Sequence, residues 1–211
     1  MESVERLSRD RIIQAAIDLI EREGVDGLSM RRVSAGLGVA VMSLYNHVPN
    51  KAALLDGVAA QILGGLHVAD DPDAHWTERA RALIRAYRKI AHDYPRCTSL
   101  VLTRRIDAPS GLRPVEHALA VAEQAGFDGE TAVRIMRALL AYAMGAQARE
   151  IGVAKMLDNR PEEAYARLDP AEFPHVLAVQ DKLLSHDPET DFEFGLDLLI
   201  GSLDRLPRGT G

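Results

Sequence analysis

Apolar side chains recur at helical spacing along almost the whole chain. From about Ser8 to Glu23 the positions Ile12, Ala15, Ala16, Leu19 and Ile20 form one stripe, closed by Gly24. Met30, Val33 and Leu37 form a shorter one behind Ser29, a good N-cap. A second short helix is expected from about Val41 to His47, stopped by Pro49, because the residue before a proline is pushed out of the helical region. Asn50 then caps a helix from Lys51 to about Leu66, and Gly64-Gly65 with Val68 to Asp73 breaks it. Trp76, Ala80, Leu83, Tyr87, Ile90 and Tyr94 step by four and three, predicting a long helix over about 74–94. Short or irregular pieces follow at 98–103 and 107–111. Helices are expected over 112–125, over 128–157 behind a capping Asp128, over 175–186 and over 189–206, with 158–174 irregular. No run alternates as a strand does, so the expected fold class is all-α. On this reading the junction divides residues 1–66, carrying the short helices and the first part of the connecting helix, from 67–211.

The short pair at 29–51 organises the rest. Gly38 sits where the chain must turn sharply between two helices, and glycine enters the left-handed region without steric cost. Two short helices about a glycine turn, with Leu37 and Val39 as apolar anchors, read as helix-turn-helix. Between Leu28 and Lys51 stand three basic residues, Arg31, Arg32 and Lys51, and no acid. All three lie in first helical turns, where a cation opposes the helix dipole by about 0.3–1 kcal/mol. An anion held at those helix starts reverses the sign, which fits two grips on a nucleic-acid backbone.

The run from Ile12 through Leu-Ser-Met-Arg-Arg-Val, Leu-Gly-Val, Ser-Leu-Tyr-Asn-His-Val and Asn-Lys-Ala-Ala-Leu-Leu-Asp resembles the DNA-binding domain of the TetR family of transcriptional regulators. The Leu-Tyr-x-His-Val-x-Asn-Lys portion is its most specific part. The resemblance implies that the second short helix enters the major groove, that Tyr45 and Lys51 contact phosphates, and that Arg31 reaches DNA from the start of the first. The face able to reach bases holds Val41, Met42, Ser43 and Asn46, with His47 beside them.

Charge and composition change this picture little. The 211 residues are 47% apolar, enough for a real core, and the formal charge of −6 leaves 28–51 as a basic window in an otherwise acidic chain. Cys97 is the only cysteine, which excludes an intramolecular disulfide and any cysteine-based zinc site. No apolar run is long enough for a membrane span and the N-terminus shows no secretory pattern, so a cytoplasmic protein is expected. No metal site, catalytic constellation or cofactor motif is visible. The seven histidines include no pair at the spacing of a helical metal site.

Two stripes have the look of partner surfaces, although each is also what an intramolecular core looks like. Ala138, Ala141, Gly145, Ala148 and Gly152 form a flat row of small residues. Phe192, Leu196, Leu199, Leu203 and Leu206 form a two-heptad seam. The resemblance implies that these helices from two subunits form a four-helix bundle. In the tetracycline-repressor branch, whose last helix and Gln-Ala-Gly-Phe127 this chain resembles, effector-facing positions correspond to His67, Leu83, Tyr87, Leu100, Thr103 and Arg104. Leu83 stands where that repressor has an amide, Tyr87 where it has a phenylalanine and Leu100 where it has a metal-binding histidine. The apparatus for a magnesium-chelated drug is therefore missing, and the effector has no name.

The expectation is a homodimeric, effector-responsive repressor that binds a palindromic double-stranded DNA operator and no membrane. Two rivals are an enzyme or small-molecule binder with a vestigial DNA domain, and a regulator of this type controlled by a protein partner.

Overall fold

The computed structural model describes residues 6–68, 71–103, 109–157, 163, 165–185 and 187–208. Among them every regular element is a helix, as the all-α reading requires. They are α1 (Arg9–Glu23), α2 (Met30–Leu37), α3 (Val41–Tyr45), α4 (Lys51–Gly64), α5 (Trp76–Asp93), α6 (Thr98–Thr103), α7 (Pro109–Gln124), α8 (Gly129–Leu157), α9 (Pro174–Ala178), α10 (Gln180–Leu184) and α11 (Pro188–Leu203), with a 3₁₀ turn at Val25–Gly27. The chain forms two compact units, residues 1–124 and 125–211.

In the first unit α1 begins at Ser8, whose hydroxyl accepts the Arg11 N–H at 3.2 Å. It ends where the Gly24 N–H reaches the Ile20 carbonyl at 2.7 Å. Its apolar stripe is wholly consumed: Ile12, Ile13, Ala16, Ile17 and Ile20 are buried against Leu28, Val33, Leu44, Val48, Leu54 and Val58. Each isoleucine among them contributes about 1.5–3 kcal/mol of burial. Gly64-Gly65 ends α4 as a glycine pair should, but the core runs past that point. Ile90 of α5, Cys97 and Leu100 of α6 belong to the same apolar cluster as α1.

A reciprocal clamp joins α1 to the start of α6. The Glu21 carboxylate accepts the backbone N–H of Cys97 at 2.8 Å and that of Arg96 at 3.2 Å. Arg96 in turn donates its guanidinium to the Arg22 carbonyl at 2.7 Å. A carboxylate thus satisfies free N–H groups just before a helix start, and a cation satisfies a free carbonyl at a helix end.

The second unit is built on α8, which Asp128 caps through the Thr131 N–H at 2.8 Å. That bond, from a backbone donor to the carboxylate, holds the Asp128 carboxyl below its ordinary range. Asp187 caps α11 in the same way, accepting from Glu189 and Thr190 at 3.2 Å each. The two helices pack through Leu139 and Ala143 on one side and Phe192, Leu196 and Ile200 on the other, all buried. Tyr142 stacks on Phe192 with ring centres 5.5 Å apart and donates its hydroxyl to the Phe192 carbonyl at 2.6 Å. Arg149 and Asp191 close the same face with an ion pair at 3.2 Å. Arg208 lies 3.9 Å over the ring of Phe127.

Several boundaries differ from the sequence reading, and α7 starts at Pro109, inside the stretch 107–111 expected to be irregular. α3 stops at Tyr45, two residues short of His47, although the Val48 N–H still reaches the Leu44 carbonyl at 2.8 Å. The expected helix over 175–186 is two short helices, broken where Val179 takes φ −124° and ψ 15°; His186 lies outside the described residues. The last helix ends at Leu203, so Leu206 of the expected seam lies beyond it.

Candidate DNA interface and ligand cavity

The turn between α2 and α3 is a complete glycine C-cap. Gly38 has φ 67° and ψ 29°. Its N–H donates to the Ala35 carbonyl at 3.2 Å, and the Val39 N–H reaches back to Ser34 at 3.1 Å. This pair of bonds defines the Schellman motif, and any residue with a Cβ is strained at its left-handed position. Ser29 accepts from Arg32 N–H at 3.2 Å and Asn50 accepts from Ala53 N–H at 2.8 Å, so both helix starts are capped as their residue types imply.

Leu44 and Val48 anchor α3 by complete burial, which fixes what it presents outward. Met42 is 72% exposed and Tyr45 42%. Asn46 and His47 are exposed beside them, while Val41 and Ser43 are half-buried, Val41 packing on the core. Lys51 is exposed at the start of α4. With Leu44 on its inner side, this helix presents Met42, Tyr45 and Asn46 on a face that is exposed among the described residues.

The three cations of this region are not equivalent. Arg31 and Lys51 are exposed and pair with no acid among the described residues. Arg32 instead turns back to α1: it forms an ion pair with Glu23 and donates to the Gly27 carbonyl at 3.1 Å. The hydrogen bond from Arg32 holds the Glu23 carboxyl below its ordinary range. Counting charge only from Leu28 onward hides this partner, which sits nine positions upstream.

A cavity of about 460 Å³ opens in the first unit between the end of α4 and helices α5 and α7. His67 and Leu83, both expected at a ligand site, line it together. Arg113, Pro114 and His117 of α7 line it as well, and nothing in their spacing singled them out. Tyr87, one turn beyond Leu83 on α5, is 5% exposed, and its hydroxyl has no hydrogen-bond partner among the described residues. Burial pushes its phenol pKa up. Leu100 is elsewhere: it is buried in the apolar core shared with α1, not at the cavity wall. The side chain of Thr103 and all of Arg104 lie outside the described residues.

A groove of about 460 Å³ runs between α8 and α11, lined by Ala141, Gly145, Arg149, Asp191 and Gly195 among others. Ala141, Gly145, Ala148 and Gly152 are exposed and Ala138 is half-buried. A Cβ built at Gly145 or Gly152 meets no atom of the described residues within 4 Å. The expected seam on the last helix divides: Phe192 and Leu196 are sealed inside the chain, and Leu199 and Leu203 are half-buried. The apolar side chains that α11 leaves in the open are Phe194, 66% exposed, and Leu198, 59% exposed.

Cys97 is fully buried, and burial together with Glu21 pushes its thiol pKa well up. Among the described residues no group of three or more His, Cys, Asp or Glu is placed to hold a metal, and no helix is long and apolar enough to cross a membrane.

Known proteins share both parts of this arrangement. Residues 12–58 match the family model for bacterial regulatory proteins of the tetR family, and residues 69–205 match that for the tetracyclin repressor-like C-terminal domain. The transcriptional repressor DrrR1 of Streptomyces coeruleorubidus is 32% identical over 141 residues, covering 66% of this chain and 52% of that protein. This chain thus spans about half the length of DrrR1. The class D tetracycline repressor of Escherichia coli is 30% identical over 197 residues, covering 92% of this chain and 88% of that protein. The crystal structure of apo ActR from Streptomyces coelicolor superposes with a TM-score of 0.81 at 25% identity, covering 94% of this chain and 95% of the other. With the capped helix-turn-helix, the all-helical body and these likenesses in hand, the chain belongs to the TetR family of transcriptional regulators.

Proposed function

We propose that this protein is a homodimeric repressor that reads a palindromic operator with α3 and leaves it when a small molecule occupies the cavity between α4, α5 and α7. One observation carries the reading. The exposed face of α3 joins Met42, Tyr45 and Asn46 to Lys51 at a capped helix start, and no acid lies between Leu28 and Lys51. In this reading residues 1–66 grip DNA and residues 67–211 hold the effector and the second subunit. Tyr45, Lys51 and Arg31 take phosphates. Arg32, tied to Glu23, positions the start of α2 and is at most an indirect contact. Asn46 pairs with adenine through N6 and N7, while Val41 and Met42 meet thymine methyl groups and Ser43 and His47 flank them. Dimerisation uses the open row Ala141, Gly145, Ala148 and Gly152 together with Phe194 and Leu198. Half-sites then lie about 34–36 Å apart, or a small multiple of that.

A binding selection on random duplexes tests this. Wild type should return an imperfect palindrome centred on A·T positions. Asn46→Ala should relax one A·T pair per half-site, and Lys51→Ala should alter preference nowhere. A consensus of G·C pairs alone, or the same consensus for wild type and Asn46→Ala, rejects the assignment.

A further inference from the structure

The cavity in the first unit has a chemical bias that its apolar wall conceals. Leu63, Leu66, Val68 and Leu83 supply its apolar wall, and its functional groups are Arg113, His67 and His117. No acidic side chain lines it among the described residues. This is unexpected in a chain with 31 acids against 25 lysines and arginines. Arg113 is exposed and, like His67, takes part in no ion pair among the described residues. By contrast Arg79, buried on α5, is already satisfied by the Gln124 carbonyl oxygen at 2.5 Å. A guanidinium left open beside an apolar pocket offers paired N–H donors to a planar anion.

We infer that the effector of this cavity is an amphipathic organic anion, an apolar ring or chain bearing one carboxylate, sulfonate or ionised phenol, with Arg113 binding its charge and Leu83 its apolar body. The inference rests on the reading of the cavity as the effector site and specifies what that site accepts. His67 and His117 line the same cavity and add imidazole N–H groups, but no carboxylate, to its polar wall. A neutral ligand of the same shape would gain the burial and lose the charge-assisted bonds.

Two dyes of one skeleton separate these contributions: anionic 1-anilinonaphthalene-8-sulfonate and its neutral twin N-phenyl-1-naphthylamine, each titrated by fluorescence against the whole protein. Leu83→Trp, which fills the cavity, identifies the signal that belongs to it. The expected result is that both signals fall in Leu83→Trp and that wild type holds the anion about tenfold more tightly than the neutral dye. Arg113→Met should bring the anion to the level of the neutral dye and leave the neutral dye unchanged. Arg113→Lys should restore part of the preference. Arg113 is exposed, so these variants keep the fold, and equal melting temperatures check it. Equal affinity of wild type for the two dyes, or a preference that survives Arg113→Met, overturns the anion assignment while leaving the cavity as the ligand site. Signals that persist undiminished in a folded Leu83→Trp overturn the cavity itself and the inference with it.

Discussion

The helix-turn-helix head and the α8–α11 pair are made from the same helical stripe and dispose of it in opposite ways. In the head every large apolar residue of α1 is turned inward, and Ile12, Ile20, Leu44 and Leu54 have no exposed surface at all. Among the described residues, the large apolar side chains that the head leaves exposed are Met42 and the ring of Tyr45. The α8–α11 pair also seals a core, with Phe192, Leu196 and Ile200 inside, but it keeps Phe194 and Leu198 in the open beside two glycines with empty space above them. A surface of the first kind suits a charged, hydrated partner. One of the second kind suits an apolar partner face. What identifies a partner surface is therefore what the helix leaves outside, since the period of the stripe is the same in both.

The contrast breaks most directly on core against surface. Leu44→Ala should cost about 2–5 kcal/mol, in urea unfolding, whatever the protein concentration. Phe194→Ala should destabilise only at concentrations where the wild type is dimeric, because stability drawn from association follows mass action. A concentration-independent loss for both would mean that Phe194 serves its own chain. Next in size, Phe194→Glu combined with Leu198→Glu should yield a folded monomer by sedimentation with much weakened operator binding. An unchanged dimer would move the interface elsewhere.

Glu21→Gln probes how far the head is anchored to α6, and loss of the charged acceptor for two N–H groups should cost about 1 kcal/mol. An unaltered urea midpoint would show that the clamp contributes nothing. Lys51→Ala should leave stability alone and lower the salt slope of DNA binding by about one; equal slopes would remove Lys51 from the phosphate contacts. The smallest effect belongs to Glu23. Its carboxyl is held low by Arg32, so the pair stabilises the fold at neutral pH and is lost as pH falls through the depressed folded value, below the ordinary range of about 4.3. Glu23→Gln should flatten the acid limb of the stability profile, and an acid limb identical to wild type would show the pair to be idle.

Much of this was legible from spacing alone, and the failures have physical causes. Ser29, Asn50 and Asp128 cap helices because a short side-chain oxygen can reach an N–H three residues on, a local fact that sequence carries. Gly38 is equally local. The choice of outer face on α11 is not. That helix is apolar at Phe192, Leu196 and Ile200 and again at Phe194 and Leu198, so period cannot say which row α8 takes. The pairing of Arg32 with Glu23 depends on a turn folding back across Gly24. The cavity depends on α7 approaching α4, which brought in Arg113 and His117 and left Leu100 in the core. The break at Val179 has no signature in its neighbours that accounts for it.

Tyr142 and Gly195 also set a mechanical limit. A methyl group at Gly195 would collide with the Tyr142 hydroxyl and ring, whose hydroxyl is already committed to the Phe192 carbonyl. The ring therefore sits in a notch that only one residue of α11 provides. Sliding α11 by one turn, about 5.4 Å, would bring Asp191 or Leu199 into that notch, and neither leaves room for it. The notch thus opposes sliding of one helix along the other as long as the Tyr142 ring stays seated in it. Gly195→Ala should therefore push the Tyr142 ring out of the notch, break its bond to the Phe192 carbonyl and remove that restraint on sliding.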